Sequence, residues 1–202
     1  GGGRRVIATD DRTWKLTADG PIRSNNEYDG EEYDARKELG EWTCPGYDDS
    51  HWLAAQRVSI PDGTLRVQMM PAMKVLDRIV PRSIRPHGNS LILDMGQNMV
   101  GWLRIRNLHG HAEGDSIRLR FAERLQEDGS LYTDNLRDAR VTDVYVCNGR
   151  EEEGHSWAPR FVTHGFRYVE VTGLPQATTD DFVGEVVSDE MEITGSFECS
   201  DT

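Results

Sequence analysis

Between residues 116 and 121 the chain reads Ser-Ile-Arg-Leu-Arg-Phe. This strict alternation sets Ile117, Leu119 and Phe121 against Ser116, Arg118 and Arg120. Side chains of an extended strand point alternately to opposite faces, so the run suits a strand with one face buried and the other wet. The same period recurs at 102–106, where Leu103 and Ile105, followed by Asn107, oppose Trp102, Arg104 and Arg106. Shorter strand-like runs stand at 6–8, 14–17, 66–69, 74–80, 90–93, 141–146, 167–171 and 184–187. Between them lie Pro61-Asp62-Gly63, His109-Gly110, Asp128-Gly129, Asn148-Gly149 and Thr172-Gly173, residues that tolerate the positive φ of tight turns. Many short strands with such punctuation predict an all-β chain, a sandwich or a barrel built of antiparallel strands. No helical period is sustained beyond ten residues. Two short helical turns are expected, one at 51–55 capped by Asp48-Asp49-Ser50 and one at 32–36.

A length of 202 residues allows one large domain or two small ones. A boundary is expected near 61–73, where an acidic, loop-rich, Trp-bearing segment gives way to regular strands. The first 60 residues or so make a small core, so they are expected either to pack as a satellite or to form the tail of a larger domain. The 23 basic residues against 35 acidic ones give a formal charge of −12. The longest basic run is Arg4-Arg5, which disfavours nucleic acid and anionic membrane as partners. No apolar stretch reaches the roughly 18–20 residues of a membrane-spanning helix. Cys44, Cys147 and Cys199 form neither a disulfide framework nor a CxxC motif.

Chemistry-bearing constellations are sparse. Glu31, Glu32 and Asp34, and Asp48 with Asp49, are sequence neighbours on acidic loops, whereas a glycosidase pair must face across a cleft. His109 and His111 sit beside Gly110 in what reads as a turn. Asp134, Asn135, Asp138 and Asp143 supply oxygen ligands but match no EF-hand spacing. There is no G-x-S-x-G elbow and no glycine-rich phosphate loop. No metal site and no cofactor are expected. Trp14, Trp42, Trp52, Trp102 and Trp157 are the candidates for stacking on a sugar ring, against the ordinary role of Trp in cores and interfaces.

Several segments in order resemble one family. They are Trp14-Lys15, Gly20-Pro21-Ile22, the run from Tyr28 to Arg36, and Asp48-Asp49-Ser50-His51-Trp52. They continue with Leu93-Asp94-Met95-Gly96-Gln97-Asn98-Met99-Val100-Gly101-Trp102, Phe121-Ala122-Glu123-Arg124-Leu125, Asn135-Leu136-Arg137, His164-Gly165-Phe166-Arg167-Tyr168 and Gly195-Ser196-Phe197-Glu198-Cys199-Ser200. Together they are similar to bacterial α-L-rhamnosidases of glycoside hydrolase family 78. The resemblance implies a jelly-roll or concanavalin-like antiparallel β-sandwich preceded by a partial β-sandwich segment. Residues 1–65 would be the C-terminal part of the N-terminal domain, 66–190 the concanavalin-like domain, and 191–202 the lead-in to an (α/α)6 catalytic domain. On this reading the chain is an internal piece of a longer enzyme that removes terminal α-L-rhamnose with inversion.

The resemblance transfers no catalytic residue. Asp94, Gln97, Asn98, Trp102, Arg137, His164 and Arg167 are its candidates for sugar contact or a domain interface. Gly96 and Gly101 are expected to bracket a bend, with Asp94 capping backbone N–H groups there and Trp102 against the neighbouring sheet. Arg160 and Arg167 are expected to pair with Glu123, Glu170 or Asp143. The implied partners are the catalytic domain of the same parent chain and a rhamnosylated carbohydrate. The chain is expected to be soluble, cytoplasmic or secreted. A free-standing carbohydrate-binding module and a purely structural sandwich are the rival readings.

Overall fold

The computed structural model describes residues 6–64 and 66–200. In chain order the strands are β1 (Lys15–Leu16), β2 (Ile22–Asn26), β3 (Gly30–Asp34), β4 (Leu53–Ala54), β5 (Met73–Ile79), β6 (Ser83–His87) and β7 (Ser90–Ile105). They continue with β8 (Ser116–Ala122), β9 (Arg124–Leu125), β10 (Leu131–Tyr132), β11 (Thr142–Val146), β12 (His164–Thr172) and β13 (Phe182–Asp189). The helical content of the described residues is three short 3-10 turns, at Ala35–Lys37, Asp134–Leu136 and Thr179–Asp181. No helix among them is long and apolar enough to cross a membrane.

The chain divides into two compact units, Gly1–Pro21 with Lys37–Val67, and Ile22–Arg36 with Gln68–Thr202. In the first, β1 and β4 form a two-stranded antiparallel ladder. Trp52 lies 6.2 Å from Trp42 and 5.9 Å from Tyr47, ring centre to ring centre. The expected helical turn at 51–55 is instead a tight turn that runs into β4. Asp48 accepts the Ser50 N–H and Asp49 O accepts the Trp52 N–H, and Leu53–Ala54 then extends to pair with β1.

In the second unit the strands follow the order β2-β3-β11-β8-β12-β7-β13-β5, with β6 also on β7. Every pairing is antiparallel except β3 with β11, which is parallel. The hairpin β2-β3 thus joins this sheet, although it precedes the boundary expected at residue 65. Of the helical turn expected at 32–36, residues 32–34 belong to β3 and the turn itself lies one step later, as the 3-10 turn Ala35–Lys37. The reason is alternation: Glu31 and Tyr33 face the interior while Glu32 faces solvent, and a strand paired on both sides satisfies the backbone that an isolated short turn would leave open.

The runs at 90–93 and 102–106 are two ends of one strand. β12 runs beside β7 from Leu91 to Gly101, while the other neighbours are β6 over Ser90–Asp94 and β13 over Gly101–Ile105. Between Phe166 and Tyr168 the β12 register jumps, leaving Met95–Asn98 as an outward bend. Gly96 has φ +83°, and Gly101, at +158°, packs where any Cβ would run into the Glu185 carbonyl. Both positions favour glycine. The sheet therefore curls by turning one long strand rather than by breaking it.

Inward-facing residues make the core: Leu93, Leu103, Ile105, Ile117, Leu119, Phe121, Tyr145, Phe166 and Phe182 are buried. Tyr33 stacks on Tyr145 at 5.7 Å, and Trp157 lies 5.3 Å from Tyr145. Each large side chain buried here contributes about 1.5–3 kcal/mol. Cys147 is buried among them, and burial pushes its thiol up to about 12, which leaves it unreactive.

Candidate functional site

The β7 bend gathers four of the sequence-predicted residues. Asp94, at its start, accepts a fork from Arg167 on β12, Nε to Oδ1 at 2.8 Å and Nη2 to Oδ2 at 3.0 Å. Asp94 Oδ1 also accepts the Gly96 N–H at 2.7 Å. The expected cap is therefore present. Arg167 pairs with Asp94 and not with Glu123, Glu170 or Asp143, because the register jump in β12 brings the guanidinium level with the start of the bend. The Arg167 pair holds the Asp94 carboxyl below the usual carboxylate range. Arg167 also lies 5.1 Å from the Tyr168 ring centre. Gln97 and Asn98 are exposed on the bend, and Asn98 Nδ2 donates to Glu123 Oε1 at 2.8 Å. Ser90 donates to Glu170. Arg160 contributes its backbone N–H, rather than its side chain, to Glu31.

The other three candidates lie apart from the bend. Trp102, beyond it on β7, donates from Nε1 to Glu185 on β13 at 2.6 Å. Glu185 is 2% exposed and also accepts Arg104 Nη2 at 2.8 Å and Arg78 Nε at 3.1 Å. Burial alone would raise its pKa; the three donors override it and hold the group at about 2. Arg137 follows the turn at Asp134–Leu136, exposed and with φ +55°. His164 points into the core. Its Nε2 lies 3.0 and 3.1 Å from the two Asp143 oxygens, and its ring stacks on Phe121 at 4.4 Å.

Asp143 also accepts the Glu31 N–H at 2.9 Å, so residues 112 positions apart share one buried knot. The Glu31 carboxylate is fully buried and accepts Asn25 Nδ2 at 2.9 Å and the N–H groups of Arg160 and Phe161. Burial pushes its pKa up, against those donors. Sequence reading missed this knot, since its members look like an acidic loop and a lone His. Because Asp143 is committed to it, the oxygen-ligand group at 134–143 does not converge. Among the described residues no three His, Cys, Asp or Glu side chains are grouped to hold a metal.

Of the five tryptophans, Trp14 and Trp42 are exposed in the first unit, Trp52 and Trp102 are half-buried and Trp157 is buried. Trp157 is thus a core residue.

The architecture and its motifs match known families over almost the whole chain. Residues 84–188 match the model of the bacterial α-L-rhamnosidase concanavalin-like domain, and residues 1–77 that of the α-L-rhamnosidase N-terminal domain. The chain belongs to the bacterial α-L-rhamnosidase family. An α-L-rhamnosidase of Streptomyces avermitilis is 44% identical over 196 residues, covering 92% of this chain and 18% of that protein. One from Formosa agariphila is 39% identical over 180 residues, 88% of this chain and 19% of the relative. The solved α-L-rhamnosidase of Dictyoglumus thermophilum superposes with a TM-score of 0.89 at 39% identity, over 96% of this chain and 22% of that one. The Streptomyces avermitilis enzyme complexed with L-rhamnose superposes with a TM-score of 0.78 at 43% identity, over 86% and 17%. The chain thus spans about a fifth of the length of the relatives it matches.

Proposed function

We propose that this chain is the non-catalytic accessory region of an enzyme that hydrolyses terminal α-L-rhamnose from glycosides or polysaccharides. It holds an (α/α)6 catalytic domain of the same parent chain and takes part in presenting the rhamnosylated substrate to it. In this reading residues 1–65 close the N-terminal domain, 66–190 are the concanavalin-like sandwich and 191–202 lead into the barrel.

One observation carries the non-catalytic part. An inverting glycosidase needs a protonated acid and an ionised base facing the scissile bond. Among the described residues the one carboxyl shifted upward is Glu31, and it is fully buried. Asp94 at the β7 bend and Glu185 on β13 are shifted the other way, by Arg167 and by Arg104, Trp102 and Arg78 respectively. They are ion-pair partners rather than proton donors.

The bend supplies the contact surface of this reading. Asp94, Arg167 and Gly96 fix its backbone, and the exposed Gln97 and Asn98 amides are presented toward the barrel or a sugar hydroxyl. Trp102, Arg137 and His164 complete the candidate set away from the bend, with His164 a buried part of the core that supports the sheet. The test is complementation. The remainder of the parent chain and this chain, produced separately and mixed, are expected to restore hydrolysis of an aryl rhamnoside that the remainder alone loses on mild heating. Full activity and unchanged heat resistance of the remainder alone would overturn the supporting role.

A further inference from the structure

The outward face of the sheet at β2-β3-β11-β8 carries a cleft of about 370 Å³. Its floor is rigid. Arg120 sits opposite Thr142, Arg118 opposite Val144 and Ser116 opposite Val146, and Val144 in turn lies opposite Glu32. Arg118 and Arg120, two apart on one strand, raise their guanidiniums on the same side about 6.5 Å apart along the backbone. Among the described residues neither guanidinium has an ion-pair or hydrogen-bond partner. The nearby carboxylates do not supply one. Asp29 is turned to Arg140, accepting its N–H at 3.2 Å and lying 3.5 Å from its Nε. Glu170, opposite Arg120 on β12, accepts Ser90. Glu32 also lines the cleft, and among the described residues no hydrogen bond or ion pair engages its carboxylate.

Two open guanidinium forks side by side are unexpected in a chain with a net charge of −12. An arginine fork matches the planar pair of oxygens of a carboxylate or the oxygens of a sulfate ester. The remaining lining supplies hydroxyls from Ser24 and Ser116 and the aliphatic faces of Val144 and Val146, a mixture suited to sugar hydroxyls and C–H faces.

We propose that this cleft binds an anionic glycan, its carboxylate or sulfate groups gripped by Arg118 and Arg120. That the anion is borne on a glycan rests on the accessory-region reading; the oxyanion chemistry rests on the cleft alone.

The test is calorimetric titration of the 202-residue chain at low ionic strength with trigalacturonate, with its fully methyl-esterified form and with sulfated maltotriose. Binding of trigalacturonate, of the sulfated maltotriose or of both is expected, and which one binds decides between carboxylate and sulfate. The neutral ester should be silent. Arg118→Ala and Arg120→Ala should each weaken binding about tenfold, with Arg150→Ala, an exposed arginine outside the cleft, as the unchanged control. Failure of both acids to bind, equal binding of the ester, or unaltered affinity in the Arg118 and Arg120 variants overturns the proposal. Inorganic sulfate competing as tightly as the oligosaccharides bind would make the cleft an ion site and sink the glycan claim. A silent titration alongside successful complementation defeats this inference alone, whereas failed complementation defeats the accessory reading and leaves the titration to be judged separately.

Discussion

The two faces of β8 and β11 treat charge in opposite ways. On the inner face Ile117, Leu119 and Phe121 are buried, and the polar groups that reach this interior are locked together, Asp143 to His164 and Glu31 N–H to Asp143. On the outer face Arg118 and Arg120 stand on the same strand, without ion-pair or hydrogen-bond partners for their guanidiniums among the described residues. A buried charge must be matched or it destabilises the fold by several kcal/mol, while an exposed one can be left open for something else. The inner face therefore reports how the sandwich holds together, and the outer face what it is free to meet.

Substitutions can break this comparison, and the largest effect belongs to the inner face. Asp143→Ala removes the acceptor of both His164 and the Glu31 N–H, and should cost about 4 kcal/mol in urea unfolding; a loss below 1 kcal/mol would show that the knot is not needed. Gly101→Ala forces a Cβ against the Glu185 carbonyl at φ +158° and should destabilise by about 3 kcal/mol, read by the same method. Glu185→Gln should cost about 2 kcal/mol at pH 7, the screening of the exposed Arg78 side included. Because its folded pKa of about 2 lies below its usual value of 4.5, Glu185 gives stability that is present above pH 4.5 and is lost as pH falls toward 2. The gap between wild type and the Gln variant should close over that window. The smallest effect belongs to the outer face. Arg118→Ala and Arg120→Ala should each change unfolding by less than about 0.5 kcal/mol, and a larger loss would make these arginines structural.

The alternation at 116–121 revealed the division between these faces, since period two is a local property of the chain. What it concealed is partnership. Arg118 and Arg104 look alike in the sequence, yet Arg104 meets Glu185 from a strand 81 positions away, while the Arg118 guanidinium has no ion-pair partner among the described residues. The Asp94–Arg167 pair spans 73 positions, and the three acceptors expected for Arg167 did not include Asp94. The hairpin β2-β3 was hidden because Ser24-Asn25-Asn26 and Glu31-Glu32 read as solvated loop. Its burial depends on acceptors and donors from residues 142–161. Gly96 and Gly101 marked a bend correctly but hid that 90–105 is one continuous strand.

The proposed accessory role predicts no hydrolysis by this chain, and Glu31, the carboxyl that burial shifts upward among the described residues, lies inside. The most direct measurement is incubation of the pure 202-residue chain with p-nitrophenyl α-L-rhamnoside. Release of nitrophenol should not exceed that of buffer at any chain concentration. Release proportional to chain concentration and abolished by an Asp or Glu substitution within it would contradict the account.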